Sequence, residues 1–204
     1  MKSGSSRAWL HEHVNDSYVH QAKQAGWRAR SAFKLLEIND KDKILNKGDV
    51  VVDLGSTPGS WSQIAQKIVG STGQVFALDI LPMDPIEGVY FIQGDFREDS
   101  VLQELQAALQ QRPVNAVISD IAPNMSGQAV TDQARSFYLA ELALEFASEH
   151  LCRQGIFLVK VFQGAGYQDY LNQVKEKFKQ VQVKKPKASR GRSTEVYLLA
   201  RGLI

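Results

Sequence analysis

From residue 50 onward the chain alternates short apolar runs with longer stretches whose apolar residues recur every three or four positions. Val50-Val51-Val52-Asp53-Leu54 is a β-branched run, and it predicts a strand over 50–54. Runs that are apolar at nearly every position belong to parallel sheets covered on both faces. Further strands are predicted over 74–78, 89–92, 115–119 and 156–162, the last entered by a turn at Gln154-Gly155. Helices are predicted between them, over 60–69, 98–110, 131–150 and 167–178. Two final strands, 181–184 and 195–200, have no helix between them, so an antiparallel hairpin at the sheet end is expected. Ahead of this pattern, residues 16–45 read as helical, with Ala32, Phe33, Leu35, Leu36 and Ile38 as the apolar face. Residues 1–15 read as a polar, flexible arm. There is no internal repeat and no low-complexity linker, so the expectation is a single domain over 1–204. The alternation predicts an α/β fold: a Rossmann-like, doubly wound, mostly parallel sheet with helices on both faces.

The link between the first strand and its helix, Gly55-Ser56-Thr57-Pro58-Gly59-Ser60-Trp61, is rich in turn residues. Gly55 and Gly59 let backbone approach a ligand, and Ser60 is expected to cap the helix. In sheets of this kind ligands sit at the carboxyl ends of the strands. Acids stand there: Asp53, Asp79, and Asp95 beside Phe96. Asp79 suits ribose hydroxyls, and the Asp95–Phe96 pair suits an adenine. A ligand with ribose and base but no phosphate fits, and S-adenosylmethionine, whose sulfonium is a cation, is such a ligand. A dinucleotide would set its pyrophosphate against these acids, and the glycine spacing is not that of the dinucleotide fingerprint. The bland alternative is a set of turn and cap aspartates.

Composition narrows the classes. No apolar run is long enough to span a bilayer, and residues 1–7 lack the apolar core of a secretion signal, so a cytoplasmic location is expected. The single cysteine, Cys152, excludes an internal disulfide and a thiolate metal cluster, and its apolar setting suggests a buried small hydrophobe. His11, His13 and His20 have no accompanying cluster of acids or cysteines, so no metal is expected. The net charge of +2 conceals an asymmetry: residues 1–48 carry +4, residues 49–174 carry −9 and residues 175–204 carry +7. Basic ends around an acidic middle suggest a polyanionic partner held by the ends. Arg28 and Arg30, near Trp27 and Phe33, are candidate RNA contacts. So are Lys185, Lys187, Arg190 and Arg192 in the loop between the last two strands. The rings of Trp27 and Phe33 are expected to be core.

Four ionisable residues stand out. Asp120 follows the strand 115–119, Lys160 interrupts the apolar strand Leu158-Val159-Lys160-Val161-Phe162, Glu195 opens the last strand, and Lys34 lies on the N-terminal helix. A lysine within such a strand is costly to bury. Each alone reads as structural; next to a sulfonium site they favour chemistry.

These stretches resemble a known family. Asp53-Leu54-Gly55, Pro58-Gly59, Trp61, Leu81-Pro82-Met83-Asp84-Pro85, Gln93-Gly94-Asp95-Phe96-Arg97, the run Ser119 to Gly127, Val159 to Gly164, Ser189-Arg190 and Glu195-Val196-Tyr197 are similar to those of the FtsJ/RrmJ methyltransferases. The similarity covers nearly the whole chain from Arg7. It implies a seven-stranded methyltransferase fold using S-adenosylmethionine. It also implies 2′-O-methylation of a uridine in the aminoacyl-tRNA-receiving loop of 23S ribosomal RNA, with the assembled large subunit as substrate. The family's catalytic tetrad falls on Lys34, Asp120, Lys160 and Glu195, and its cofactor contacts on Gly59, Trp61, Asp79, Asp95 and Asp120. Gly55 joins that cofactor set from the loop reading. Where the family has a second glycine before the tryptophan, this chain has Ser60. A monomer is expected. The rivals are a methyltransferase of another structured RNA such as tRNA, an assembly factor with a vestigial site, and a small-molecule O-methyltransferase, for which the basic ends would have no use.

Overall fold

The computed structural model describes residues 16–123, 127–191 and 193–204. The N-terminal helical stretch is two helices, α1 (Ser17–Gln24) and α2 (Ala32–Asp42), where the pattern had suggested one over 16–45. The break is at Gly26, whose φ of 74° lies in the left-handed region and cannot continue a right-handed helix. Asp16 caps α1 by accepting from the Tyr18 amide at 3.0 Å.

The alternating region folds as β1 (Val50–Leu54), α3 (Ser60–Val69), β2 (Gln74–Asp79), β3 (Val89–Gln93), α4 (Asp99–Leu109), β4 (Val114–Ser119), α5 (Ala129–His150), β5 (Leu151–Phe162), α6 (Tyr167–Lys177), β6 (Phe178–Lys184) and β7 (Glu195–Leu203). The seven strands form one sheet in the order β3-β2-β1-β4-β5-β7-β6. β1 to β5 are mutually parallel, and β7 runs antiparallel between β5 and β6. The expected hairpin is therefore present, with its second strand on the inside.

Side-chain alternation divides the core into two layers. Val51, Val75, Ala116, Ile118, Leu158, Tyr197 and Leu199 pack under α2 and α3 with Leu35, Ile38, Trp61 and Ile64. Val52, Phe76, Val117, Phe157, Val159 and Leu198 pack against α4, α5 and α6. Period two places Asp53, Lys160 and Glu195 on the α2–α3 face.

Three local expectations change. Gly59 (φ 103°) is the residue that precedes α3, so Ser60 is already helical, and its Oγ pairs with Ser31 Oγ at 2.7 Å instead of capping. Residues 152–155 bulge out of β5, because Val114 pairs with Leu151 while Ala116 pairs with Ile156. Cys152 lies in that bulge and is half-buried, not core. Trp27 and Phe33 are half-buried as well: Trp27 packs against the α2–α3 layer, and Phe33 leans on Tyr18 at 5.5 Å between ring centroids.

Candidate active site

The carboxyl ends of β1, β2 and β4 open into a cleft of about 510 Å³. It is lined by Gly55, Thr57, Asp79, Ile80, Gly94, Asp95, Phe96, Arg97, Asp120, Ile121, Arg135 and Tyr138, among others. Of the cofactor residues expected from sequence, Gly55, Asp79, Asp95 and Asp120 are on this lining, while Gly59 and Trp61 are not. A side chain at Gly59 would meet Met83 Sδ at 2.7 Å and an Arg28 guanidinium nitrogen at 2.9 Å, so Gly59 is pressed against the β2–β3 connection. Trp61 is buried, and its Nε1 donates to the Ser31 carbonyl at 2.9 Å.

Asp79 is fixed by its own backbone surroundings. Its Oδ2 accepts from the Thr57 amide at 2.9 Å and its Oδ1 from the Leu81 amide at 2.8 Å. Each oxygen keeps a lone pair for a hydroxyl in the cleft. Asp95 accepts from Arg97 Nε at 2.9 Å, and that hydrogen bond holds its carboxyl below the usual range. Asp53 is the exception among the strand-end acids. It does not line the cleft but is wholly buried beneath it, accepting from Ser62 Oγ at 2.6 Å, and its Oδ1 has no partner among the described residues. Burial, reinforced by the charges of Asp120 and Asp79, pushes its carboxyl up to about 7.

Next to the cleft, four strand or helix ends converge. In β5 and β7, Lys160 is paired with Tyr197, and Phe162 with Glu195. Lys160, 7% exposed, donates to the Asp120 carbonyl oxygen, and its Nζ is 3.1 Å from Asp120 Oδ1. Lys34 reaches in from α2 to Glu195 Oε1 at 2.7 Å. Tyr197 connects the two ion pairs. Its hydroxyl donates to Asp120 Oδ1 at 2.7 Å and lies 3.5 Å from Glu195 Oε1, and its ring lies under the Lys34 ammonium, 5.7 Å away. Ser189 adds a hydrogen bond to Glu195 Oε1 at 2.8 Å. Burial alone would raise the Asp120 carboxyl, but Lys160, Lys34 and the Tyr197 hydroxyl outweigh it and keep it below the ordinary value. Burial first, then the Asp120 and Glu195 charges, keep the Tyr197 phenol protonated well above its usual range, so it remains a donor. Tyr197 and Ser189 fall in the family-like stretches but had no role assigned from sequence. An aromatic in a strand is commonplace, and only its register opposite Lys160 marks it.

The expected RNA contacts are placed differently from one another. Arg28 lies along the surface of the glycine loop and donates to the carbonyls of Pro58 (3.0 Å), Asp84 (2.7 Å) and Pro85 (2.9 Å). Arg30 donates to Asp16 and to the Ala188 carbonyl. Lys185 donates to the Ser193 carbonyl at 2.6 Å and also to that of Glu195. Lys187 is exposed, and Arg190 lies 3.8 Å from Asp16. Arg192, like His11 and His13, lies outside the described residues.

An acidic, half-apolar cleft that shares Asp120 with a lysine–carboxylate cluster suits transfer from a cationic donor to a nearby oxygen. The chain is also similar to known methyltransferases. The chain is 64% identical over 201 residues to Ribosomal RNA large subunit methyltransferase E of Neisseria gonorrhoeae, covering 98% of each chain. It is 63% identical to the protein of that name from Chromobacterium violaceum, again over 98% of each. A solved Plasmodium falciparum structure described as a ribosomal RNA methyltransferase superposes with a TM-score of 0.76 at 30% identity, covering 87% of this chain and 98% of that one. A Streptococcus mutans methyltransferase in complex with SAH shares the fold at a TM-score of 0.53 and 16% identity, covering 82% of this chain and 95% of that one. Residues 27–203 match the FtsJ-like methyltransferase family, and the chain belongs to it.

Proposed function

We propose that this chain, as a single-domain monomer in the cytoplasm, methylates the 2′-hydroxyl of a uridine in the aminoacyl-tRNA-receiving loop of 23S ribosomal RNA within the large subunit, using S-adenosylmethionine. The observation that carries the reading is Asp120, which lines the cleft and also anchors Lys160. Identity to proteins named for large-subunit ribosomal RNA supports the substrate class.

The cleft fits the donor. Its volume is that of a small-molecule site. Asp79 has lone pairs for ribose hydroxyls, Asp95 takes an exocyclic amine by yielding part of its pairing with Arg97, and Ile80, Phe96 and Ile121 give apolar cover for a base. When bound, S-adenosylmethionine supplies a methyl group made electrophilic by its sulfonium. Lys160 is the base. A neutral lysine amine has two N–H groups and one lone pair. Asp120 offers two acceptors to that amine, its carbonyl and Oδ1, so the lone pair is left for the ribose 2′-hydroxyl. Lys160 takes the hydroxyl proton as the oxygen becomes a nucleophile, and Asp120 stabilises the resulting ammonium. Glu195 holds Lys34, whose charge positions the ribose or a neighbouring phosphate.

The test is transfer of labelled methyl from S-adenosylmethionine to unmethylated large subunits, with the modified nucleotide mapped. Label on a single uridine 2′-oxygen is the expected result. Label on transfer RNA alone, or none on any RNA, would overturn the reading.

A further inference from the structure

A second concavity lies on the side of α2 away from the cleft. It has a volume of about 420 Å³ and is lined by Tyr18, Phe33, Leu36, Glu37, Asp40, Lys41, Lys187 and Ala188. Its floor is aromatic and aliphatic, and its rim carries Lys41 and Lys187. One wall is the β6–β7 loop, which is pinned in place: the Lys187 amide donates to Glu37 Oε2 at 2.6 Å, and Arg30 donates to the Ala188 carbonyl. The next residue of that loop, Ser189, holds Glu195. Glu37 is three residues along α2 from Lys34, roughly 4.5 Å of helix rise. The groove and the catalytic cluster therefore share α2 and the β6–β7 loop as neighbouring walls.

We propose that this groove binds an unstacked guanine of the RNA next to the methylated nucleotide. The proposal rests on the RNA reading given above. Phe33 and Tyr18 provide rings for stacking, the usual way proteins hold single-stranded bases. Lys187, and Lys41, which pairs with Glu37 Oε1 at 2.7 Å and would exchange that partner, flank the position of the backbone phosphates. Asp40 selects the base. Its carboxylate has no hydrogen-bond or ion-pair partner among the described residues, and an ionised carboxylate only accepts. Guanine presents two adjacent N–H groups, N1 and N2, that match its two oxygens. Uracil has only one donor between two carbonyls, and those would face the charge.

The experiment measures binding of unmethylated large subunits by wild type, Phe33→Leu and Asp40→Asn, with S-adenosylmethionine affinity and thermal stability measured in parallel. Phe33→Leu should weaken RNA binding roughly five- to a hundredfold. Asp40→Asn changes an exposed side chain, and it should weaken binding roughly two- to tenfold. Cofactor affinity should stay within about twofold of wild type. A 6-thioguanine placed beside the target nucleotide should cross-link to the peptide carrying Phe33. Wild-type RNA affinity in both variants would overturn the proposal, as would cross-links only elsewhere. Lost stability with unaltered RNA affinity in Phe33→Leu would show that another part of the chain fills the groove, and would overturn it too. A wild-type protein that methylates no RNA would instead remove the reading on which the groove depends.

Discussion

At the scale of single residues, the site is a chain of donors and acceptors in which Asp120 carries most of the load. Lys160 and Tyr197 both donate to it, so its geometry is set before any substrate arrives. If Lys160 is a base, charge alone cannot replace it. Lys160→Ala should lose methyl transfer, and Lys160→Arg should be about as inactive, because a guanidinium does not deprotonate in proteins. Single-turnover rates at saturating RNA and cofactor would show this, and a near wild-type rate in the arginine variant would leave only a fixed cation. Asp53 makes a different demand. Its carboxyl is raised from 3.8 to about 7, so between those values the folded chain holds a proton that the unfolded chain has lost. Stability contributed by this residue therefore falls as pH rises through that window, by on the order of 4 kcal/mol across it. Asp53→Asn removes the titration. Denaturant unfolding at pH 5 and pH 8 should show the variant gaining on wild type at the higher pH. An unchanged difference between the two would mean that Asp53 titrates near its ordinary value.

At the scale of elements, much was legible because parallel strands and their helices advertise themselves by period. The convergence of Lys160, Glu195 and Lys34 was less so. Period two puts the strand residues on one face, but only the β5–β7 register brings them level, and register between strands separated by a helix and a third strand leaves no local trace. The break at Gly26 was masked because the apolar spacing runs through it. Arg28 is hard to read in the opposite sense, since a basic residue near aromatics reads as a nucleic-acid contact whatever its donors are bonded to. Here they tie the α1–α2 connection to the glycine loop at Pro58 and to the β2–β3 connection at Asp84 and Pro85. Arg28→Ala should accordingly weaken S-adenosylmethionine binding about tenfold, from loosened loops, and leave the salt dependence of RNA binding unchanged. Calorimetric titration beside a salt series separates the two, and the reverse outcome would return Arg28 to the RNA surface.

At the scale of the whole molecule, charge and topology are segregated together. The acidic middle of the sequence builds β1 to β5 and the cleft, while the basic ends supply α1, α2 and the β6–β7 loop on the side of Lys34. RNA affinity should fall steeply with salt, and removing Lys187 should flatten the log–log slope by about 0.7 to 0.9, one phosphate contact. A slope unaltered by Lys187→Ala would make that side chain merely solvated. The position of β7 has a consequence for how the protein comes into being. β7 follows every other strand in the chain yet lies between β5 and β6. While a ribosome is still making residues 195–203, the apolar β5 has one open edge, the sort of surface that recruits other chains. Glu195 and Tyr197 arrive on the strand that covers it. A chain halted at residue 194 should therefore partition into aggregates during cell-free synthesis, and any soluble fraction should be inactive. Through this ordering, translation itself withholds the carboxylate that holds Lys34 until the sheet can close.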